Sequence, residues 1–217
     1  MAHAHAHPHA HPHHDADPHA PIEEDARYRE ESLLLEQALR ELLIENEVFS
    51  AADIQRQIED TESRNPGLGA KVVAHAWADP AFKARLLADP KPALQAFGID
   101  VASSPELKVV ENTERVHHMI VCTLCSCYPK VLLGIPPAWY KSREYRSRAV
   151  IEPRAVLKEF GCEVPREVEV RVVDSTADLR YVVLPRRPAG TEGWSEERLA
   201  ELVNRDSMIG VSFAREP

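Results

Sequence analysis

The stretch VCTLCSCYP, residues 121–129, places three of the four cysteines of the chain within six positions. Three thiols in one short loop indicate that the chain folds to form a site that uses sulfur. Four cysteines among 217 residues are too few for a disulfide framework. The spacing of Cys122, Cys125 and Cys127 therefore indicates a metal-binding or redox site.

The common sulfur sites fit this spacing poorly. A structural zinc site needs four ligands, often as two pairs, and the fourth cysteine, Cys162, is remote in sequence. A redox Cys-x-x-Cys pair would leave Cys127 without a role. Iron–sulfur clusters use four thiolates at other spacings.

A second geometry places one metal ion between Cys125 and Cys127, which flank Ser126. The amide nitrogens of Ser126 and Cys127 lie between the two sulfurs, and binding them would close small chelate rings. With Cys122 as a third sulfur, the protein supplies five donors and leaves one position open. Deprotonated amides require a strongly polarising ion, and low-spin trivalent cobalt or iron fits better than tetrahedral zinc. A reduced loop with an ordinary metal or redox role remains the alternative.

The first half of the chain has helical patterns. Residues 23–64 place apolar side chains on one helical face, and Ser50 is a candidate N-cap for a second helix. Short helices are expected to follow from Asp79-Pro80 and Asp89-Pro90, with a stop at Gly98. The apolar face consists of Leu34, Leu35, Ala38, Leu42 and Val48.

The second half mixes strand and helix patterns. Strands are predicted at LKVVEN, HHMIVCT, EVEVRVVDS and RYVVLPRR. Helices are predicted at PPAWYKSREYRSR, EPRAVLKEFG and SEERLAELVNRD, the last of which begins behind Ser195. The expected fold class is α+β, with an N-terminal helical arm followed by a mixed α/β domain that carries the cysteine loop. The expected divisions are a tail at 1–21, an arm and cap at 22–100, and a metal-binding catalytic domain at 101–217.

Residues 1–21 are of low complexity and hold eight of the eleven histidines. The segment has few bulky apolar side chains, so it is predicted to be disordered. Imidazole binds divalent nickel, copper, zinc and cobalt, so the tail is either a metal collector or inert. A metal-trafficking protein that uses this tail is therefore one alternative function.

Charge and hydropathy narrow the remaining classes of function. The net charge of -9 argues against a nucleic-acid partner, which would favour a basic face. No apolar run reaches the length of a transmembrane helix, and the histidine-rich start does not look like a signal segment. We therefore expect a cytoplasmic protein without a membrane partner.

The motif and several longer blocks resemble the α subunits of nitrile hydratases. VCTLCSC is similar to the metal-binding motif of that family, and the resemblance extends over most of the chain from about residue 22. The similar blocks are AKVVAHAWADPAFKARLL, VVENTERVHHMIVCTLCSCYP, LLGIPPAWYKSREYRSRAVIEPRAVLKEFG, LPRRPAGTEGWSEERLAELV and RDSMIGV.

The resemblance implies a low-spin trivalent ion bound by the sulfurs of Cys122, Cys125 and Cys127 and by the amides of Ser126 and Cys127. It also implies that Cys125 is oxidised to a sulfinic acid and Cys127 to a sulfenic acid, two steps of the thiol oxidation ladder. Thr123 matches the cobalt type, since iron-type members usually carry serine there. Co(III) is thus expected, with Fe(III) as the second choice.

The implied reaction is the hydration of a nitrile to an amide, a hydro-lyase reaction. The nitrile would bind the open metal position, and the Cys127 sulfenate, or a metal-activated water, would attack its carbon. The resemblance also implies a separate β subunit, held by the N-terminal arm in an α2β2 assembly. A metallochaperone or activator protein is a further expected partner.

Some positions depart from the family pattern. In the family, a tryptophan commonly follows the Tyr-Pro after the cysteines, and here the residue is Lys130. The next position of the family is often proline, and here it is Val131. A glutamine-containing stretch upstream is replaced near Ser103 and Ser104. We therefore expect Lys130 to line a more cationic substrate pocket, unless it is an ordinary surface lysine. A basic residue would suit an anion, which keeps the similar γ subunit of thiocyanate hydrolase as the alternative family.

Other candidate residues have structural explanations. His117 and His118 precede the cysteines on a predicted strand, so only one of them can face the metal, and packing roles are expected. His75 and Cys162 are expected to be structural, and Trp139 and Tyr140 to pack the domain or the subunit interface. A cluster of arginines forms either a subunit-facing patch or a solvated helix face. Its members are Arg143, Arg146, Arg148 and Arg154.

Overall fold

The computed structural model describes residues 26–217, with side chains from residue 30 onward. The histidine-rich segment 1–21, predicted to be disordered, therefore lies outside the described residues. The described residues form eleven helices and four strands. A helical arm comes first in the sequence, and a domain of mixed helices and strands follows it. This arrangement confirms the α+β class.

The arm consists of α1 (Ala26–Glu45) and α2 (Ala51–Ser63). Ser50 begins α2 as predicted, and its side chain forms a capping box with Asp53. No side chain described in residues 30–63 is buried. Six apolar residues of the arm remain 54–71% exposed, so the predicted apolar face has no partner within the described chain. These residues are Leu33, Leu34, Leu35, Leu39, Leu42 and Val48.

Three helices follow the arm: α3 (Pro66–Ala78), α4 (Pro80–Ala88) and α5 (Pro90–Ala96). Asp79 caps α4 as expected, because its carboxylate accepts hydrogen bonds from two amides of the first turn. Asp89 makes no such bond to α5. One of the two donors that Asp79 uses in α4, the third amide of the helix, is absent in α5, because that position is Pro92 and proline has no amide hydrogen.

The strands are β1 (Glu106–Glu111), β2 (Val116–Val121), β3 (Glu169–Asp174) and β4 (Leu179–Leu184). All four lie where the sequence predicts strands. They form two parallel pairs, β1 with β4 and β2 with β3. The register pairs Val121 with Asp174, so the end of β2, where the cysteine loop begins, lies beside the end of β3.

The helices of the second half are shorter than expected. The segment at 136–148 forms two helices because Ser142 caps a new one, and the last predicted helix is interrupted before Asn204, which caps another. One short helix that the sequence patterns do not predict begins at Lys130. The six elements are α6 (Lys130–Leu133), α7 (Ala138–Lys141), α8 (Arg143–Ile151), α9 (Pro153–Glu159), α10 (Glu196–Glu201) and α11 (Arg205–Ile209).

The two strand pairs contact each other through β2 and β4, and several helices pack against them. Helices α4, α5 and α11 contact β1 or β4, and α8 and α9 contact β2 or β3. The centre is the run Met119–Val121 of β2, which is fully buried. Side chains of α3–α5 belong to the same hydrophobic core as the strands. None of the helices within residues 26–217 is long and apolar enough to cross a bilayer.

Gly210 ends α11 at the point where the chain passes β2. Its φ is +87°, and a Cβ atom there would overlap the carbonyl oxygen of His118. His118 lies on β2, four residues before the first cysteine of the loop. Only glycine permits this close approach of two backbones.

We expect Gly210→Ala to destabilise the fold by about 3 kcal/mol, the sum of the left-handed backbone cost and a steric clash with β2. Gly161→Ala is the matched control, because Gly161 has a φ of +78° and open space around its Cα. The control should lose only about 1 kcal/mol, the backbone cost alone. Urea unfolding followed by circular dichroism measures both, and equal losses would contradict the steric argument.

Candidate metal centre

The structure brings the sulfurs of Cys122, Cys125 and Cys127 together. All three lie within 4.8 Å of one another, and among the described residues they form the one such group of potential metal ligands. The Cys125 sulfur lies 3.4 Å from that of Cys122 and 3.2 Å from that of Cys127. We refer to these cysteines, together with Ser126, as the claw.

The sulfur separations indicate which coordination geometry the claw can serve. For metal–sulfur bonds of about 2.3 Å, two sulfurs lie roughly 3.3 Å apart at a right angle and roughly 3.8 Å apart at the tetrahedral angle. The observed 3.2 and 3.4 Å match the right angle. The backbone amides of Ser126 and Cys127 are also close enough to lower the pKa of the Cys125 thiol. These two separations fit an ion with right-angled ligands better than tetrahedral zinc.

Strand β2 holds the first end of the claw rigidly in the core. Cys122 is buried and follows the last residue of the strand. The amide of Ser175 donates to the carbonyl of Val121 at 2.7 Å, which extends the ladder between β2 and β3. The hydroxyl of Tyr145 donates to the carbonyl of Ile120 at 2.6 Å.

Asp174 holds the next residue, Thr123, by two hydrogen bonds. One carboxylate oxygen accepts the amide hydrogen of Thr123 at 3.0 Å, and the other accepts its hydroxyl at 2.6 Å. Arg146 donates to the carbonyl oxygen of Thr123 at 3.4 Å. Hydrogen bonds to a charged acceptor are stronger than neutral ones, so the contact with Asp174 fixes the turn between Cys122 and Cys125.

The second end of the claw is held by Tyr140 and by helix α6. The buried Tyr140 hydroxyl donates to the carbonyl of Cys127 at 2.8 Å. The Tyr140 ring makes an edge contact with that of Tyr128, with centroids 5.1 Å apart. Immediately afterwards, Val131, Leu132 and Leu133 of α6 are buried. The claw is therefore a loop fixed on both sides by the core.

The environments of Cys125 and Cys127 push their pKa values apart. Hydrogen bonds from the neighbouring thiols of Cys127 and Cys122 stabilise the Cys125 thiolate and lower its pKa to about 7. Burial raises the pKa of Cys127 to about 12, although the charge of Arg180 opposes this shift. Cys125 is also exposed, whereas Cys127 is buried. Without a metal, Cys125 is thus the reactive thiol of the pair.

A cavity of about 370 Å³ opens beside the claw. Lys130 is among the residues that line this claw cavity, and so are Ser103 and Ser104 from the stretch that departs from the family pattern. The other lining residues are Arg64, Pro105, Leu107, Cys125, Ser126, Cys127, Tyr128, Pro129, Val131 and Arg180.

His117 and His118 are both buried, and their side chains make hydrogen bonds with residues outside the claw. His117 lies 2.8 Å from the carbonyl oxygen of Gly210 through Nε2, and both histidines contact Asn112. Burial lowers the pKa of each imidazole. These contacts agree with the packing roles expected for them.

The arginine cluster does not form one patch. Arg148 pairs with Glu144, Glu152 and Glu159, and Arg154 donates to backbone carbonyls of residues 164–168. Within the cluster, Arg146 is the member that reaches the claw loop. Cys162 is buried, and burial raises its pKa to about 11, which agrees with a structural role.

Sequence reasoning did not identify Asp174, Arg180 or Arg64 as site residues. Asp174 had a usable signal, because it ends a predicted strand, and the ends of neighbouring parallel strands lie at the same edge. The position of Asp174 is informative only once the pairing of β3 with β2 is known. Arg180 and Arg64 carried no local pattern, because strand pairing and helix packing alone bring them to the claw cavity.

A known family matches most of the chain. A family model described as "Nitrile hydratase, alpha chain" matches residues 30–212. A cobalt-containing nitrile hydratase subunit alpha from Pseudonocardia thermophila is 54% identical over 180 residues, which cover 82% of this chain and 88% of the relative. The thiocyanate hydrolase subunit gamma from Thiobacillus thioparus is 43% identical over 193 residues, which cover 84% of this chain and 79% of the relative.

Solved structures show the same fold. An iron-type nitrile hydratase from Comamonas testosteroni, in a double histidine-to-alanine variant, superposes with a TM-score of 0.81 at 40% sequence identity. The match covers 89% of this chain and 94% of that one.

We expect Asp174→Asn to lower both the cobalt content and the stability of the loop, because asparagine has one acceptor oxygen, whereas the two carboxylate oxygens accept from both the amide and the hydroxyl of Thr123. The expected loss of unfolding free energy is about 1 kcal/mol for this exposed pair. Cobalt per chain, measured by elemental analysis, tests the effect on the metal. The control is Asp178→Asn, which removes the same charge from an exposed residue outside the claw contacts. Equal cobalt in both variants would contradict the role of Asp174.

In the metal-free chain, iodoacetamide should alkylate Cys125 first, because its thiolate forms above a pKa of about 7 and is exposed. At neutral pH we expect its labelling to be at least about tenfold faster than that of Cys127 or Cys162, whose pKa values are raised. Peptide mapping by mass spectrometry gives the rates against pH. A midpoint near the ordinary thiol value of 9.0 for Cys125 would contradict the hydrogen-bond explanation.

Proposed function

The chain belongs to the nitrile hydratase α-chain family, and from this premise we propose that it is the metal-binding α subunit of a cobalt nitrile hydratase. This hydro-lyase adds one water to a nitrile and forms an amide. The observation that carries the proposal is the group of three sulfurs within 4.8 Å of one another, within the segment 30–212 that matches the family.

The proposed ligands are the sulfurs of Cys122, Cys125 and Cys127 and the amides of Ser126 and Cys127. Thr123 and the cobalt-containing relative at 54% identity favour Co(III) over Fe(III). When bound, such an ion would supply Lewis-acid activation of a nitrile nitrogen or of a water molecule.

We propose that Cys125 carries a sulfinic acid and Cys127 a sulfenic acid. Oxidation of cysteine follows thiolate character and exposure. Cys125 is exposed and has the lowered pKa, which supports the higher oxidation level at this position. Cys127 is buried, and its carbonyl is held by Tyr140, which supports a protected, lower oxidation level.

In the proposed reaction, the sulfenate oxygen of Cys127 attacks the nitrile carbon. The C–O bond forms as one π bond of the nitrile opens onto nitrogen. One water molecule then attacks the Cys127 sulfur, which breaks the S–O bond of the adduct and leaves the water oxygen as the new sulfenate oxygen. Both protons of that water pass to nitrogen, so the sum is one nitrile plus one water to one amide. The hydrogen bond from Tyr140 orients the backbone of Cys127. The buried side chain of the neighbouring Tyr128 limits the motion of that backbone.

The proposed partner is a β subunit in an α2β2 assembly. The exposed apolar face of α1 supports this, because an isolated apolar surface of this extent is characteristic of an interface. A second apolar surface lies between α2 and Ile135, with Phe49, Ile54 and Ile58 along it. Loading by a metallochaperone and a cytoplasmic location remain predictions from the sequence.

Two alternative functions are less well supported. A thiocyanate hydrolase γ-like subunit is favoured by Lys130 in the claw cavity, but that relative is 43% identical, against 54% for the nitrile hydratase subunit. A metal-trafficking role would depend on the tail at residues 1–21, which lies outside the described residues. The two buried cysteines of the claw favour a resident ion over an exchangeable one.

The test is co-expression of the chain with its β subunit in the presence of cobalt. We expect the complex to contain cobalt and to hydrate nitriles, and Cys127→Ser to lower hydration at least about a thousandfold, as the loss of other covalent nucleophiles does. Cys162→Ala is the matched control, because it removes a buried thiol outside the claw.

Amide formation, cobalt content and intact mass are measured on the same samples. A wild-type complex with full cobalt and oxidised cysteines but no amide product would refute the proposed function. Equal loss in Cys127→Ser and Cys162→Ala would refute the assignment of Cys127.

A further inference from the structure

We propose that the histidine-rich tail, residues 1–21, captures divalent cobalt and delivers it to the claw of the same chain. The inference rests on the proposed function, in which the claw holds cobalt, and it adds a second metal site that supplies the first. It depends on the charge of the claw cavity, on the contacts of the histidines within the described residues, and on the composition of the tail.

The lining of the claw cavity repels a free metal cation. Its thirteen lining residues include three cations, Arg64, Lys130 and Arg180, and no aspartate or glutamate. Within residues 30–217, no carboxylate lies within ion-pair distance of Lys130 or Arg180. A positive mouth lowers the local concentration of a divalent cation, so an ion that arrives from bulk solvent meets an unfavourable potential.

The claw nevertheless has one sulfur that an incoming ion can reach. Cys125 is exposed and lines the claw cavity, whereas Cys122 and Cys127 are buried. Among the described residues, the claw is the one group of three or more histidine, cysteine or acidic side chains that converge on a single point. The described part of the chain therefore holds no intermediate site from which an ion passes to Cys125.

The histidines of the described residues are committed to other contacts. His75 lies 2.9 Å from a carboxylate oxygen of Glu196 and contacts two phenylalanine rings. His117 and His118 are buried and hydrogen-bonded within the core. The other eight histidines of the chain all belong to the tail, so the imidazoles that can capture a metal ion lie there.

The tail has the composition of a capture site for a divalent ion. It places eight imidazoles within 21 residues. Because so few residues separate them, two or more imidazoles reach one ion at a small cost in loop entropy. Imidazole binds divalent cobalt, and with about four ligands per ion the tail holds about two ions. The histidines are His3, His5, His7, His9, His11, His13, His14 and His19.

Acidic residues in and after the tail offset the charge of a captured ion. Asp15 and Asp17 lie in the tail, and Glu23, Glu24 and Asp25 follow it, while residues 1–25 contain no lysine or arginine. This acidic stretch attracts the free ion and reduces the repulsion that the bound ion meets at the claw cavity. The charge of the segment is thus opposite to that of the cavity it supplies.

The tail is an addition to the part of the chain that matches the family. The family model covers residues 30–212, and the tail lies before that range. Because tail and claw belong to one chain, an ion held by the tail reaches an effective concentration of about 1 mM at the claw when the connecting chain spans the distance. Delivery from the tail therefore matters at trace cobalt and becomes unimportant when cobalt is abundant.

The delivery step is a ligand exchange without electron transfer. Imidazole nitrogens release the divalent ion and remain neutral. Each claw thiol that binds the ion gives up one proton to solvent, and its sulfur takes the metal in place of that proton. The exposed sulfur of Cys125 is the first that the ion reaches. A negative thiolate attracts the ion more strongly than a neutral imidazole does, which sets the direction of transfer.

The test of capture dialyses the reduced, metal-free, full-length chain against cobalt(II) chloride. Wild type is compared with a variant in which all eight tail histidines are replaced by glutamine, and with two controls, His75→Gln and Cys125→Ala. Elemental analysis counts cobalt per chain, and sulfur-to-cobalt charge-transfer absorption reports the claw separately. We expect wild type to bind about two ions more than the glutamine variant. His75→Gln should bind as wild type does, and Cys125→Ala should keep the ions of the tail.

The test of delivery follows the rate at which the claw absorption develops with one cobalt ion per chain. Wild type should load at least about tenfold faster than the glutamine variant, because the tether replaces encounter from a dilute solution. In a large excess of cobalt, both chains should reach the same final absorption.

Equal numbers of bound ions in wild type and the glutamine variant would overturn the capture site. Equal loading rates with one ion per chain would overturn the delivery step and leave the tail with an adventitious ion only. In both cases, full claw absorption in excess cobalt would leave the proposed function intact. If neither chain develops claw absorption in excess cobalt, the proposed function is contradicted, and the delivery step with it.

Discussion

The parallel pairing of β2 with β3 is the constraint on which the claw depends. It places Asp174 beside Val121, and from there the carboxylate binds both the amide and the hydroxyl of Thr123. A loop of three cysteines would otherwise be free to adopt many conformations, each at an entropic cost when a metal binds. Because the contact joins two rigid strands, the loop enters the site with its first turn already formed. The contact between Asp174 and Thr123 thus joins the two strands to the loop that carries the proposed metal ligands.

Different interactions hold the other end of the claw. There the buried Tyr140 holds the carbonyl of Cys127, and the apolar residues of α6 anchor the chain that leaves the site. Burial raises the pKa of Cys127, while thiol hydrogen bonds lower that of Cys125. Two cysteines separated by one residue therefore have different reactivity. This asymmetry supports the proposal that they reach different oxidation levels, since oxidation follows thiolate character and exposure.

Much of the local structure could be predicted from the sequence. The four strands, the cap at Ser50 and the cap at Asp79 depend on patterns of neighbouring residues, and the structure has them where expected. The missing cap bond of Asp89 has a local cause that is visible in the sequence, the absent amide hydrogen of Pro92 at the third position of α5. Helix α6 was missed because four residues are too few for a periodic pattern, and its position comes from burial of Val131–Leu133.

The sequence by itself determined the candidate donors of the claw, because the spacing Cys-x-x-Cys-x-Cys keeps three sulfurs and the amides between them within a few residues of one another, whatever the fold. Only the tertiary structure decided what surrounds them. Asp174 and Arg180 lie far beyond the claw in the sequence, and strand pairing alone brings them to it. The charge of the claw cavity is decided in the same way, by Arg64, Lys130 and Arg180 from three separate parts of the chain. Residues that are neighbours in the sequence can chelate one ion, whereas the lining of a cavity comes from distant residues that packing brings together.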